Sequence, residues 1–344
     1  MKAFSLIQWQ KPPEFRDVPV REPGPGEVLL KVAGAGLCHS DLHLMDWPAS
    51  VLPYTLPFTL GHENAGWVEK LGAGVTGFQV GEPVLVAGHW GCGHCLRCRQ
   101  GMEMYCLNPG PASGGGLGLD GGLAPYMLVP SARLLVPLGT LDPRDAAPLA
   151  DAALTPYHAV KRSLHLLGAG SSAVVIGVGG LGQMAVQILH ALTGAQVIAV
   201  DTSEQKLEAA RQLGADQTLL SGPDTVESVR ALTRGQGADL VLDMVGAQAT
   251  VELAAGLART LGHLTLVGLG GGTLPVGFFS VPYECSVATT YWGSIPELMD
   301  VVRLAQDGRI YTTVERFGLE QVAEAYARLR QGRIQGRAVV TPHG

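Results

Sequence analysis

A glycine-rich turn between a strand-like run and a helix-like run constrains the fold of this chain more than any other feature. The turn reads Gly177-Val-Gly179-Gly180-Leu181-Gly182 and directly follows the apolar run 173–176. In a β-α unit the first glycine permits a tight turn, the second lets the backbone approach a pyrophosphate, and the third lets helix and strand pack closely. The helix N-terminus adds positive potential. We therefore expect a dinucleotide site here, with a purely structural turn as the alternative.

Strand-like and helix-like runs alternate around this turn at the spacing of β-α-β units. The apolar runs are 173–176, 196–200, 239–243, 263–267 and 286–291, and helix-like segments occur between them at 181–192, 203–213 and 247–260. This alternation predicts a doubly wound parallel sheet of six strands. Before about residue 140, short β-like runs are divided by Pro and Gly turns, and the run 337–340 is again β-like. We predict an α/β protein with a β-rich domain over 1–152 and 295–344 and a Rossmann domain over 153–294.

Asp201 indicates which dinucleotide is bound. It ends the second strand of the predicted unit, 19 residues after Gly182. A carboxylate at this place accepts hydrogen bonds from the ribose hydroxyls of NAD and repels the 2′-phosphate of NADP. Thr202 and Ser203 follow, without an arginine to pair with that phosphate, so the sequence favours NAD. Lys206 lies within reach of the ribose, and a solvated lysine on the helix surface is an equally good interpretation.

Composition and charge limit the kinds of partner. The 344 residues include 24 Lys+Arg and 30 Asp+Glu, which gives a formal net charge of −6. A mildly acidic chain without basic blocks lacks the electrostatic footprint of a nucleic-acid or anionic-membrane binder, so small molecules are the expected partners. The first twenty residues lack the apolar core of a signal peptide, and no run of about 18 apolar residues occurs. We expect a cytoplasmic protein.

Cysteine spacing predicts a metal site. In a reducing compartment, closely spaced cysteines indicate metal or redox chemistry rather than a disulfide framework. The pattern Cys92-x2-Cys95-x2-Cys98-x7-Cys106 suits a closed tetrahedral zinc site of four thiolates. The bacterial iron–sulfur pattern differs, because its fourth cysteine comes after three residues and precedes a proline. Cys285 lies far from this segment, and we expect it to be an ordinary buried thiol.

Two segments of the β-rich part, 38–43 and 61–63, contain further candidate ligands. Any one of their histidines is more often a core or surface residue than a ligand. A zinc enzyme needs two or three protein ligands from separate segments and one open position. Cys38 and His62 are plausible ligands, and Asp41 is placed to orient His62 through a hydrogen bond.

Asp151 is the one charged residue in the apolar run 146–154. An unpaired carboxylate in such a run would be costly to bury, so Asp151 needs a partner. One interpretation is an N-cap for a helix that starts at Ala152. The other is a third zinc ligand, and the spacing alone does not separate the two.

In combination, these residues resemble the zinc-dependent medium-chain alcohol dehydrogenases over essentially the whole chain. The matching motifs are Gly36-Leu-Cys38-His-Ser-Asp41, Gly61-His-Glu-x-x-Gly66-x-Val68, the four-cysteine segment, the Gly177–Gly182 turn, Asp201 and Gly336-Arg-Ala-Val-Val340. The resemblance implies a GroES-like catalytic domain formed by both ends of the chain around a Rossmann coenzyme domain. It also implies NAD, one catalytic and one structural Zn²⁺ per chain, and a homodimer or homotetramer.

By position, the resemblance assigns the catalytic zinc to Cys38, His62 and Asp151. Many members of the family have cysteine at the third position, and a bacterial secondary-alcohol subgroup has aspartate. Asp151 therefore favours secondary alcohols and ketones as substrates. Glu63 matches an acidic residue beside the metal, with a salt bridge near the site as its alternative role.

The resemblance also assigns residues to proton transfer and coenzyme binding. Ser40 and His43 match the hydroxyl and the imidazole of a proton relay that runs through the coenzyme ribose. An imidazole with a pKa near 6.5 suits proton exchange with solvent. His39 and Arg337 match residues that contact the coenzyme pyrophosphate.

The substrate pocket is the least determined part. Trp47, Tyr54, Tyr291 and Trp292 are candidate pocket walls that favour apolar or aryl substituents, although plain packing explains each equally well. The mostly apolar segment 45–57 favours simple alcohols over polyols or sugars. A zinc-dependent polyol or sugar dehydrogenase is the first alternative function, and a non-catalytic protein that binds NAD and zinc is the second.

Overall fold

The structure, a computed structural model, describes all residues from Met1 to Gly344. Its strands, β1 to β18 along the chain, are Lys2–Leu6, Glu14–Asp17, Val28–Gly36, Phe58–Thr59, Glu63–Leu71, Pro83–Val86, Gly114–Gly115, Gly118–Leu119, Tyr126–Val129, Leu135–Pro137, Ser172–Ile176, Gln196–Asp201, Gln217–Leu220, Ala238–Asp243, Ala258–Leu266, Ser286–Thr289, Val314–Gly318 and Arg337–Thr341. Its α-helices, α1 to α10, are His39–Asp46, Leu96–Arg99, Pro143–Ala146, Leu154–Ser163, Gly180–Leu192, Glu204–Gln212, Thr225–Leu232, Gln248–Leu257, Ile295–Gln306 and Val322–Arg330. No helix is both long and apolar enough to cross a bilayer.

The chain divides into two compact units. Unit 1 consists of Met1–Asp151, Gly293–Gly308 and Thr312–Gly344, and unit 2 consists of Ala152–Trp292 and Arg309–Tyr311. The domain boundaries from the sequence stay a prediction. They assign 1–152 and 295–344 to the β-rich domain and 153–294 to the Rossmann domain.

Unit 2 contains the doubly wound sheet that the sequence predicts. Its six strands are parallel in the order β13-β12-β11-β14-β15-β16. The strand order reverses beside β11, and in sheets of this kind ligands bind at the carboxyl ends of the strands at that point. The apolar runs of the central strands are buried and contribute Val174, Ile176, Ile198, Val200, Val241 and Leu264 to one core cluster. The prediction of a six-stranded parallel sheet is confirmed.

Unit 1 is built around a seven-stranded sheet in which strands from both ends of the chain are neighbours. β3 pairs with β5 on one side and with β18 on the other, both antiparallel, and β17 lies parallel to β18. β3 ends at Gly36, opposite Glu63 at the start of β5. A Cβ on Gly36 would lie 2.0 Å from a carboxylate oxygen of Glu63, so only glycine fits there. The segments that follow β3, precede β5 and begin β18 therefore meet at one end of this sheet.

Candidate metal centres and dinucleotide site

Four candidate metal ligands come together at that end of the unit 1 sheet. The donor atoms of Cys38, His62, Glu63 and Asp151 all lie within 4.8 Å of one another, and all four residues are buried. Asp151 Oδ2 lies 3.5 Å from Cys38 Sγ and 3.7 Å from His62 Nε2. Asp151 ends a single 3-10 turn, and helix α4 begins only at Leu154, so the N-cap alternative for Asp151 does not apply.

Asp41 fixes two of these groups. Its Oδ1 lies 2.9 Å from His62 Nδ1, and its Oδ2 accepts a hydrogen bond from the backbone N–H of Cys38 at 3.0 Å. A histidine whose Nδ1 is held by a carboxylate presents Nε2 as the ligand atom for a metal, and its ring orientation is set. Asp41 belongs to α1, which follows directly on Cys38, so one helix positions the thiol and orients the imidazole.

A buried arginine neutralises part of the negative charge. Arg337 donates from Nε to Glu63 Oε2 at 3.0 Å and from Nη2 to Glu63 Oε1, and its Nη2 lies 3.4 Å from Asp151 Oδ2. Burial raises the pKa of Glu63 to about 7, against the opposing effect of Arg337. Burial also acts to lower the pKa of Arg337, but Glu63 and Cys38 outweigh it, so the guanidinium stays charged.

The donor set fits zinc. A tetrahedral zinc with ordinary bond lengths separates its S, N and O donors by roughly 3.3 to 3.6 Å. The distances from Asp151 Oδ2 to Cys38 Sγ, 3.5 Å, and to His62 Nε2, 3.7 Å, are close to this range. Burial acts to lower the pKa of His62, but the charge of Asp41 and the hydrogen bonds that the imidazole makes to Asp151, Asp41 and Cys38 raise it well above the usual value. The surroundings thus favour positive charge at this point, as a cation site requires.

The four-cysteine segment folds into a second cluster. The Sγ atoms of Cys92, Cys95, Cys98 and Cys106 lie within 4.8 Å of one another. Cys98 Sγ is 4.0 Å from Cys92 Sγ and 3.5 Å from Cys95 Sγ, and Cys95 Sγ is 4.0 Å from Cys106 Sγ. Tetrahedral zinc–thiolate bonds would place the sulfurs roughly 3.8 Å apart. Backbone N–H groups of Cys98 and Leu107 lower the pKa of Cys95 to about 6 and so favour its thiolate. This cluster also fits zinc, in a closed site.

Three buried residues near the clusters belong to no sequence motif, because only long-range contacts bring them there. Burial lowers the pKa of His89 to about 4, with Asp151 opposing this effect and His62 adding to it. Glu103 pairs with Arg133, which also donates to the backbone oxygen of Gly91 and so braces the cysteine segment. Tyr326 of α10 lies near Asp41 of α1.

Three of the four glycines in the dinucleotide turn of unit 2 have a distinct geometric reason for lacking a side chain. Gly177 has φ +85°, and a Cβ there would lie 2.4 Å from Val245 Cγ2. A Cβ on Gly179, which precedes helix α5, would meet nothing within 4 Å, so this face of the turn is open to a ligand. A Cβ on Gly182 would lie 1.9 Å from the carbonyl oxygen of Gly177, so helix and turn pack too closely for a side chain. Gly180 and Leu181 form the first turn of the helix.

Asp201 holds this turn in place. Its Oδ2 accepts from the N–H of Val178 at 2.7 Å, and its Oδ1 accepts from the N–H of Ser203 at 3.0 Å. A carboxylate has about four acceptor positions, so capacity for ribose hydroxyls remains. Lys206 is half-buried, and its backbone N–H donates to the Ser203 hydroxyl.

The predicted relay residues lie on α1. Ser40 Oγ is 3.4 Å from Cys38 Sγ, and His39 is exposed. Burial lowers the pKa of His43, with Asp46 opposing this effect and Arg330 adding to it. His43 is therefore a neutral imidazole at pH 7 and able to accept a proton.

The candidate pocket aromatics have different surroundings. Trp47 stacks on His43 with ring centroids 5.2 Å apart, and the Tyr54 hydroxyl hydrogen-bonds Ser113 Oγ at 2.8 Å. Tyr291 is exposed and Trp292 half-buried at the end of unit 2, with their rings edge to face.

Cys285 is half-buried rather than buried, because it precedes the edge strand β16. The prediction that this thiol is buried was wrong.

Two family models of dehydrogenases match this chain. A family model described as an alcohol dehydrogenase GroES-like domain matches residues 24–140, and one described as a zinc-binding dehydrogenase matches residues 180–307. With the parallel sheet of unit 2, the first match confirms the predicted pairing of a GroES-like and a Rossmann domain.

Individual proteins match along their whole length. An NAD-dependent alcohol dehydrogenase of Sulfurisphaera tokodaii is 35% identical, covering 99% of this chain and 100% of the relative. A D-arabinose 1-dehydrogenase (NADP(+)) of Saccharolobus solfataricus is 34% identical, and the match covers 99% of this chain and 97% of the relative. The crystal structure of the alcohol dehydrogenase from Aeropyrum pernix superposes with a TM-score of 0.92 at 38% identity. The match covers 99% of this chain and 100% of that structure.

Proposed function

Because the chain belongs to the zinc-dependent medium-chain alcohol dehydrogenases, we propose that Cys38, His62 and Asp151 hold the catalytic zinc of this NAD-linked enzyme. The enzyme interconverts alcohols with ketones or aldehydes. We assign a structural zinc to Cys92, Cys95, Cys98 and Cys106. The observation that carries the proposal is the buried group of one thiol, one imidazole and two carboxylates within 4.8 Å.

The residues of unit 1 divide the chemistry among them. A zinc ion, when bound, acts as a Lewis acid toward the alcohol oxygen. Asp41 holds His62 in the tautomer that offers Nε2 to the metal. Glu63, paired with Arg337, balances charge beside the ligands. Ser40, next to Cys38, accepts the hydroxyl proton of the substrate at Oγ and passes on its own hydroxyl proton. His43 is the final acceptor of the relayed proton and exchanges it with solvent.

Unit 2 supplies the coenzyme site. NAD, when bound, accepts the hydride from the carbinol carbon. The open face of Gly179 and the start of α5 receive its pyrophosphate, and Asp201 accepts hydrogen bonds from its ribose hydroxyls. We also propose that His39 and Arg337 contact the pyrophosphate and that Lys206 contacts the ribose.

Secondary alcohols and ketones with apolar or aryl substituents are the proposed substrates. Support comes from Asp151 as third ligand and from the apolar segment that contains Trp47 and Tyr54. We keep Tyr291 and Trp292 as candidate pocket residues. Sugars are the second candidate, favoured by the 34% identity to a D-arabinose 1-dehydrogenase.

A substrate panel tests this assignment. NADH formation is followed by absorbance with primary alcohols, secondary alcohols, polyols and D-arabinose, each with NAD and with NADP. We expect the highest kcat/KM for apolar secondary alcohols with NAD. Activity confined to D-arabinose with NADP would establish the sugar dehydrogenase instead.

Asp201→Ala should weaken NAD binding by about tenfold, since two hydrogen bonds to the ribose are lost. It should also raise the ratio of kcat/KM for NADP to that for NAD, because the repulsion of the 2′-phosphate disappears. Asp216→Ala is the matched control: Asp216 accepts from the N–H of Val197 at 2.7 Å at the other end of β12. An equal loss for both coenzymes in Asp201→Ala would mean that Asp201 only holds the glycine turn.

Asp46→Asn should move the acid limb of the pH profile for alcohol oxidation to lower pH. Asp46 raises the pKa of His43, and Arg330, which is bound to Asp46, lowers it. Removing the carboxylate therefore lowers the pKa of His43 further, and the imidazole stays neutral to more acidic pH. Glu22→Gln, which breaks the distant exposed pair with Lys70, is the control. A shift of the acid limb to higher pH would exclude His43 as the group that titrates.

We further propose a cytoplasmic homodimer or homotetramer. All six cysteines are free thiols, which a reducing compartment preserves for metal binding. In unit 2, Phe278 and Phe279 are 75% and 87% exposed near the edge strand β16, and a second copy of the chain would cover such an apolar surface. The mass in solution, measured by light scattering, tests the oligomer, and a monomer would contradict it.

A further inference from the structure

A tyrosine of the C-terminal helix lies behind the metal ligands of unit 1. Tyr326 belongs to α10 and is only 5% exposed. Its ring stacks on Phe4 of β1, with centroids 6.2 Å apart and planes 23° apart, so its position is well defined. Its hydroxyl oxygen is completely buried without a hydrogen-bond partner at ordinary distance. A buried hydroxyl of this kind carries a desolvation cost and calls for an explanation.

Helix α10 packs against α1, and this packing brings the Tyr326 hydroxyl close to the carboxylate of Asp41. Burial, and then the negative charge of Asp41, hold the pKa of Tyr326 well above its usual value, with Cys38 and Glu63 acting in the same sense. Tyr326 therefore keeps its proton and can only approach Asp41 as a donor. Asp41 is 0% exposed and already accepts from His62 and from the backbone of Cys38, yet a carboxylate can accept about four hydrogen bonds.

We propose that Tyr326 is a positioning residue that acts through Asp41 on the metal ligands. When the hydroxyl donates to the nearby carboxylate, it restricts Asp41 to the orientation that holds the ring of His62 and the backbone of Cys38. The contact links α10, near the end of the chain, to α1, on which the thiol ligand is mounted. The inference rests on the proposed assignment of the zinc to Cys38, His62 and Asp151.

The expected effect of the Tyr326 hydroxyl on zinc affinity depends on how many contacts separate it from the metal. Loss of a group that directly orients a ligand costs about 10- to 100-fold in metal affinity. Tyr326 is one contact further away, so we expect its hydroxyl to contribute about 3- to 10-fold. The effect should be confined to one of the two zincs, because the two groups that Asp41 holds, His62 and the backbone of Cys38, belong to one cluster only.

Tyr326→Phe removes the hydroxyl and keeps the ring on Phe4. Zinc release to a competing chelator is measured in the full-length enzyme, together with the melting temperature. We expect one of the two zincs to be bound about 3- to 10-fold more weakly, with the other unchanged. Tyr126→Phe is the control, since Tyr126 is half-buried on β9 and contacts His343. This control should bind both zincs as the wild type does.

A double variant shows whether Tyr326 acts through Asp41. Asp41→Asn alone should weaken the same zinc more strongly, and adding Tyr326→Phe should cause little further loss, since the two residues act in series. Losses that multiply in the double variant would exclude the route through Asp41. Unchanged zinc affinity in Tyr326→Phe, with an equal or higher melting temperature, would show that the hydroxyl is a passive buried group.

The zinc content of the wild type and of Tyr326→Phe separates a wrong metal assignment from a wrong role for Tyr326. A wild-type enzyme that holds zinc only at the cysteine cluster would overturn the metal assignment and this inference together. A wild type with two zincs and an unaltered Tyr326→Phe variant would overturn the role of Tyr326 alone.

Discussion

Asp151→Asn is expected to leave one zinc per chain and to lower kcat/KM for alcohol oxidation by about a thousandfold or more. The amide has nearly the shape of the carboxylate but is neutral and a much weaker ligand. Asp151 Oδ2 lies within 3.7 Å of both Cys38 Sγ and His62 Nε2. We therefore expect the loss of this one ligand to release the zinc without a change in any other residue of the cluster. Metal content by mass spectrometry and the rate of NADH formation are measured on the same sample.

Asp151→Cys is the matched rescue variant. A thiolate restores an anionic ligand at this position, and it is the residue that many relatives carry there according to the sequence resemblance. We expect the second zinc and a substantial part of the activity to return. Two zincs retained in Asp151→Asn would remove Asp151 from the ligand set.

Arg337→Met is expected to have the largest effect on stability. It leaves the carboxylate of Glu63, which is 0% exposed, without its bidentate partner, and it removes the contact with Asp151. Breaking a buried ion pair in this way costs about 3 to 5 kcal/mol. For a unit of this size, the melting temperature should fall by roughly 10 °C. NAD binding should weaken as well if Arg337 contacts the pyrophosphate.

Two further variants isolate the buried pair. Lys70→Met breaks an exposed pair with Glu22 and should change the melting temperature little, since such pairs contribute about 0 to 1 kcal/mol. Arg337→Met combined with Glu63→Gln should be more stable than Arg337→Met alone, because the double variant no longer buries the unpaired Glu63 charge. A double variant that is less stable than either single one would contradict the pairing as the source of the effect.

Most of the correct predictions from the sequence rest on local patterns. The glycine turn, the alternation that builds the six-stranded sheet and the spacing of the four cysteines each involve residues close in sequence. Short segments of this kind determine their own geometry, so the fold class and the cysteine cluster follow from them.

Contacts between distant segments were not predictable in the same way. Nothing near Asp151 in the sequence tells a ligand from a helix cap; the structure shows that the helix starts three residues later, at Leu154. The sequence resemblance placed Glu63 and Arg337 near the site separately, whereas their pairing depends on β18 returning beside β3. Tyr326 carries no motif at all and reaches Asp41 only through the packing of α10 against α1.

The central claim is that zinc at the buried cluster of unit 1 is required for NAD-linked alcohol oxidation. The most direct test measures NADH formation from an apolar secondary alcohol in the native enzyme, after exhaustive chelation, and after zinc is added back. We predict that the rate is lost as zinc leaves and returns when zinc is restored. An undiminished rate in a sample with both zincs removed and NAD still bound would contradict the claim.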